Sequence, residues 1–160
     1  PEEGTYQEHV IFKDVMVPIV HPKNPVKTLT WEQLADINSG KITNWKTVGG
    51  LDERIVVIVP PKSSGTRTYL RETVMKGADF TGGAFTAVTT REEIDLVSQS
   101  PIALGVLSEG FVKMNPGKVK VVKTTPITRQ LSLVTKGEPS RELLAVITFL
   151  KSAAAKKYYK

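Results

Sequence analysis

Ile55-Val56-Val57-Ile58-Val59 is an uninterrupted apolar run with turn-forming residues on both sides. A strand of this kind has no face to offer to water. It predicts a buried, parallel strand inside a sheet covered on both sides. The run ends in Pro60-Pro61-Lys62-Ser63-Ser64-Gly65-Thr66-Arg67, and an amphipathic stretch follows. The spacing predicts a helix from about Gly65 to Lys76, ended at Gly77. Leu70 and Val74 share one face of it, Arg67 and Arg71 another.

The rest of the chain repeats this alternation. Val10 to Val20 reads as one or two strand segments, and Pro18 points to a sheet edge or a bend. Thr30-Trp31-Glu32-Gln33 has the spacing of a capping box, with a helix stopping at Ser39-Gly40. Thr90-Arg91-Glu92-Glu93 reads as a second box, with Glu92, Glu93 and Asp95 as charges complementing the helix dipole. Pro101 to Leu107 is another short apolar strand. Phe111 to Met114 suits one helical turn, and Val119–Val122 and Gln130–Val134 alternate like strands. A last helix after Ser140 has an apolar stripe of Leu143, Val146/Ile147, Leu150 and Ala154. Alternating strands and helices predict an α/β fold with a mostly parallel sheet and flanking helices.

Composition narrows the function classes. Hydrophobic residues make up 40% and charged residues 24% of 160 residues, a globular composition. The first residues, Pro1-Glu2-Glu3-Gly4, have neither the basic nor the apolar region of a signal peptide. There is no cysteine, so disulfides and thiol catalysis are excluded. His9 and His21 do not have metal-ligand spacing, and no metal or cofactor is expected. The net charge of +6 is spread along the chain, densest at Lys151, Lys156, Lys157 and Lys160. It reads as a solvated basic surface, not as a nucleic-acid patch.

Ligands of open α/β sheets bind beyond the carboxyl ends of the strands. Val59 to Thr66 is such a junction. A helix N-terminus leaves amides unpaired and carries roughly half a positive charge. Gly65 lets an oxyanion approach those amides, Ser64 and Thr66 add hydroxyls, Arg67 adds a two-pronged guanidinium, and Lys62 adds charge. All of these groups are donors, which suits a tetrahedral oxyanion. A plain capped turn is the competing reading. Neither GxxxxGK[ST] nor GxGxxG occurs, and no nucleophile, base and orienting acid come together. The chain is not expected to be an enzyme.

The motifs Asn24-Pro25-Val26, Leu29-Thr30-Trp31-Glu32-Gln33-Leu34, Ser39-Gly40-Lys41-Ile42-Thr43-Asn44-Trp45, Ser64-Gly65-Thr66-Arg67, Ala103-Leu104-Gly105-Val106-Leu107-Ser108 and Arg129-Gln130-Leu131-Ser132-Leu133-Val134-Thr135-Lys136-Gly137 occur in this order. Together they resemble the phosphate-binding, PstS-like proteins of bacterial ABC importers, within the periplasmic binding protein superfamily. The resemblance implies two α/β lobes closing on an anion: residues 24–125 as the anion-binding second lobe, and residues 1–23 and 126–160 as a partial first lobe. The crossovers fall near His21–Pro25 and Thr124–Thr128. It also implies phosphate or a similar oxyanion as ligand at Lys62, Ser64, Gly65, Thr66 and Arg67, an ABC permease as partner, and a periplasmic or extracellular location.

Two departures stand out. The first-lobe strand and helix with which such proteins usually begin are not in this chain. An incomplete lobe exposes a sheet edge and invites homodimer pairing or domain swapping. Further, Pro60 and Lys62 stand where the family often has an arginine and an acidic residue. An acidic group accepts the proton of hydrogen phosphate and repels sulfate. Lys62 cannot, which leaves an interaction or sensory module as the alternative.

Overall fold

A computed structural model describes residues 5–158. The segment Pro1–Gly4 and the terminal Lys160 lie outside the described residues. By contacts the chain divides into two compact units: Val15–Ile127, and the sequences that flank it on either side.

The unit Val15–Ile127 is built on strands β2 (Val56–Val59), β3 (Phe85–Thr86), β4 (Ala103–Ser108) and β5 (Lys120–Val121), with the end of the long β1 (Tyr6–Val20). The order is β3-β2-β4-β1-β5. β2 runs parallel to both β3 and β4, and β1 is antiparallel to β4 and β5. The α/β expectation is met by a mixed sheet whose parallel part is β3-β2-β4.

Alternation of side chains divides the strands between two cores. Val57, Val59, Leu104, Val106, Met16 and Val20 belong to one cluster. Ile58, Ala103, Leu107, Val17 and Ile19 belong to the other. The apolar run of β2 is thus accounted for, since both of its faces are covered. Helix α2 (Gly65–Tyr69) continues into a wider π turn, Leu70–Val74, whose Leu70 and Val74 join the first core. Helix α3 (Thr90–Gln99) places Ile94 and Val97 in the second. The sequence predicts an unbroken α-helix from Gly65 to Lys76. The π turn, closed by Met75 N–H to Leu70 O at 3.0 Å, instead buries Leu70, Val74 and Met75 together.

Helix α1 (Trp31–Ser39) has the expected capping box. Gln33 N–H donates to Thr30 Oγ1 at 3.1 Å, and Thr30 N–H donates to Gln33 Oε1 at 2.9 Å. Gly40 ends it at φ 83°. The buried Trp45 donates its indole N–H to Ile102 O at 3.0 Å and so ties a 3₁₀ turn (Trp45–Val48) to the approach to β4.

Three local expectations are corrected. Pro18 lies within β1, between β4 and β5, and not at an edge. Its carbonyl serves the β5 side, accepting from Val122 N–H at 2.9 Å. Its missing N–H would face the same side, opposite Val122, where the β5 ladder ends. The cap of α3 is Thr89, not Thr90: Glu92 N–H donates to Thr89 Oγ1 at 3.1 Å, and Glu92 accepts from Val88 N–H. That one-residue shift turns Glu93 from a first-turn surface charge into a buried side chain on the sheet-facing side.

The flanking unit pairs β6 (Ile127–Lys136) with β1 and adds α5 (Arg141–Lys151) and the single turn α6 (Ala153–Lys156). Arg129 grips Asp14 from two nitrogens, Nε at 2.9 Å and Nη2 at 2.8 Å from Oδ2. His9 Nε2 is 3.0 Å from Thr135 Oγ1, which donates to Gly137 O. On α5 only Ile147 is buried, while Leu144, Val146 and Phe149 are about half exposed. The predicted stripe is therefore only partly covered.

Two substitutions test these contacts. A Cβ on Gly105 would meet Glu93 Oε1 at 3.0 Å, Val97 Cγ2 at 3.1 Å and Ile19 Cγ1 at 3.3 Å. Gly105→Ala is expected to lower unfolding free energy by about 1–3 kcal/mol, read as a lower urea midpoint. Arg129→Ala leaves Asp14, which is 7% exposed, without its guanidinium. Its expected cost is about 3–5 kcal/mol, and a loss within error of zero would refute the role given to the pair.

Candidate anion-binding site

β2, β3 and β4 are parallel, so their carboxyl ends share one edge of the sheet. Three helices start there: α2 at Gly65, α3 at Thr90, and α4 (Glu109–Lys113) directly after Ser108. Their dipoles bring partial positive charge to this rim.

The loop after β2 is built from local rules. Ser64 N–H donates to Pro61 O at 2.9 Å, closing a turn. Ser64 is then the N-cap of α2, and its Oγ accepts from Thr66 N–H at 3.2 Å. Gly65 occupies the first helical position, where an amide has no carbonyl of its own helix to reach. Gly65 is exposed, and Ser64 and Thr66 are half-buried. Lys62 is exposed, and among the described residues no ion pair engages it.

Arg67 does more than the sequence suggested. Its Nη1 donates to Pro60 O at 3.1 Å and contacts Thr86 Oγ1 at 3.4 Å. Its guanidinium carbon lies 5.1 Å from the centroid of the Phe80 ring. One side chain thereby joins α2 to the ends of β2 and β3. These contacts use Nη1 and one face of the group, and the remaining N–H donors can still serve a ligand. Lys62, Ser64, Gly65, Thr66 and Arg67 are adjacent in sequence and share this rim. Thr86 and Phe80 were missed, because their link to Arg67 spans the whole α2–β3 crossover and leaves no local signal.

Glu93 was also missed as a structural element. It is 1% exposed, and its Oε1 accepts from Val106 N–H at 3.0 Å, two residues before the end of β4. Burial pushes its carboxyl up to about 8, and the Val106 hydrogen bond opposes this only partly. The sequence signal for it was present: Glu93, Ile94 and Val97 share helical spacing once Thr89 is taken as the cap.

A cleft of about 500 Å³ lies at the amino ends of β2 and β4, lined by Lys23, Trp45, Leu51, Glu53 and Pro101 among others. It is at the opposite end of the strands from the loop. His21 has a connector's role, its Nδ1 accepting from Lys23 N–H at 3.0 Å. Among the described residues no cluster of three metal-ligating side chains occurs, and no helix is long and apolar enough to cross a membrane.

Known proteins share this fold. The PBP superfamily domain matches residues 2–154. The phosphate-binding protein PstS of Bacillus subtilis strain 168 is 29% identical over 131 residues, covering 82% of this chain and 43% of the relative. The chain thus spans about two fifths of the length of the curated relatives it matches. A phosphate ABC transporter substrate-binding protein from Clostridium perfringens, solved with bound phosphate, superposes with a TM-score of 0.83 at 31% identity, over 95% of this chain and 68% of that one. An ABC-type phosphate transport receptor from Vibrio cholerae gives 0.80 at 30% identity, over 98% and 70%. A match that runs almost from end to end, on the same strand and helix order, leaves one assignment: the chain belongs to the PBP superfamily, with PstS proteins among its relatives.

Proposed function

We propose that this chain captures inorganic phosphate, or a similar tetrahedral oxyanion, as the substrate-binding component of an ABC importer outside the cytoplasm. Residues 24–125 act as the anion-binding lobe, the flanks belong to its partner lobe, and the bound anion is handed to a membrane permease. No bond is made or broken. The observation that carries this reading is the Ser64-capped start of α2 at the carboxyl end of a buried parallel strand, with Arg67 anchored beside it. Gly65 supplies an amide, Ser64 and Thr66 supply hydroxyls, and Arg67 and Lys62 supply charge.

Energetics predict weak binding by this chain alone. Three hydrogen bonds to an anion contribute roughly 1.5–3 kcal/mol each, or roughly 5–9 gross. Association costs at least about 4 kcal/mol. The remainder, at most about 1–5 kcal/mol, corresponds to millimolar affinity or weaker.

A second reading has one specific support. The stretch 60–67 contains no acidic residue, and Lys62 stands where a proton acceptor would select hydrogen phosphate. An interaction or sensory module of the same fold would not need that acceptor.

Calorimetry separates the two. Phosphate and sulfate are expected to bind with affinities within about threefold of each other, since a donor-only site does not discriminate between them. Thr66→Val, which removes one hydroxyl donor and keeps a β-branched side chain, is expected to weaken both by about tenfold. No heat from either anion up to about 100 mM would overturn anion capture by this chain and favour the interaction module. Unchanged affinity in Thr66→Val would overturn the site.

A further inference from the structure

Glu93 occupies a position that a neighbouring strand would normally fill. The β2–β4 ladder pairs Val56 with Ala103 and Val57 with Leu104, and then stops. Continuing the parallel register would bring Val106 N–H to the carbonyl of Ile58. At Ile58 and Val59 the pairing that continues is with Phe85 and Thr86 of β3, on the opposite edge of β2 from β4. The β1 side does not supply the missing partner either. Val106 stands opposite Pro18, whose carbonyl accepts from Val122 N–H on the other side. Glu93 Oε1 takes the Val106 N–H instead, from the second core.

The space for this carboxyl is shaped by absence of a side chain. Gly105 has no Cβ, and one placed there would sit 3.0 Å from Glu93 Oε1. The remaining surroundings are apolar. α3 rests on β4 and β2 through Ile94 and Val97, against Ile58, Ala103, Leu107, Val17 and Ile19. No titratable side chain occurs in β2 or β4, and Val17 and Ile19 are the β1 residues on this face. On its own helix, Arg91 and Glu92 are exposed, and Asp95 is paired with Lys118 at 2.7 Å. Only burial and the Val106 hydrogen bond act on the Glu93 carboxyl.

We propose that Glu93 is a proton-linked latch: as the neutral acid it closes the split between β2 and β4 beneath the carboxyl-edge rim, and as the carboxylate it must draw in water or leave, loosening the end of β4 that leads to Ser108. This does not depend on which ligand the rim takes. The folded chain holds the Glu93 proton more tightly than the unfolded chain. Stability from this group is therefore greatest at low pH, falls as pH rises from about 4.5 to about 8, and is level above that.

The test uses the whole chain with carbon-13-labelled glutamate. One carboxyl resonance is expected to titrate near pH 8, and to vanish in Glu93→Gln, which keeps an oxygen acceptor for Val106 N–H but cannot ionise. In urea unfolding, going from about pH 6 to about pH 9 is expected to raise the wild-type unfolding constant by about 100-fold more than that of Glu93→Gln. Equal pH dependence in the two proteins would overturn the latch. So would a wild-type spectrum in which every glutamate titrates in the ordinary carboxylate range, an outcome readable even if the variant fails to fold.

Discussion

Strand β2 is four residues long, and the rest of Val15–Ile127 depends on both of its faces being buried. A parallel strand must be covered by the helices that connect it to its neighbours. The chain leaves β2 for β3 on one side and returns past it to β4 on the other. α2 consequently packs into one core and α3 into the other. The reversal of direction at β2 is also what leaves a gap at the carboxyl edge, the usual place for a ligand in open α/β sheets. The donor-rich loop lies at this edge, and so does the end of β4 that Glu93 holds through Val106 N–H.

In the proposed site, Arg67 illustrates how a side chain can be held by its scaffold before any ligand arrives. An arginine free in solution would have to lose side-chain entropy on gripping an anion. Here Pro60 O, Thr86 Oγ1 and the Phe80 ring already restrict it. Preorganisation of this kind reduces the cost of binding without adding a contact. It also couples the loop to two strands, so Thr86 and Phe80 would support the proposed site although neither donates charge.

The same edge holds opposite electrostatic solutions. The rim gathers donors, exposed or half-buried, where water moderates their mutual repulsion. One turn deeper, a single carboxyl is buried in an apolar core and is accommodated by keeping its proton. The exchange has a structural reason. A buried amide left without a partner costs about 1–3 kcal/mol, and Glu93 satisfies one that the strands cannot reach.

Much of the fold was legible because its causes are local. Thr30 and Gln33 are three residues apart and cap each other whatever surrounds them. Gly40 ends α1 with a left-handed turn that other residues adopt poorly. The apolar run at 55–59 announced a doubly covered strand, and Ser64-Gly65-Thr66 announced a helix start beyond it. Other features were decided only in three dimensions. The choice between Thr89 and Thr90 as cap depends on which register buries Ile94 and Val97. Pro18 is accommodated inside the sheet at the position where the β5 ladder ends. The Arg67–Thr86 and Glu93–Val106 contacts join residues that sequence spacing does not relate. By itself the sequence determined most of the helices and longer strands, their order and the donor-rich turn, since these rest on interactions within a few residues. Only the tertiary structure decided which donors share a rim and which carboxyl loses its water, since both depend on what the sheet brings alongside.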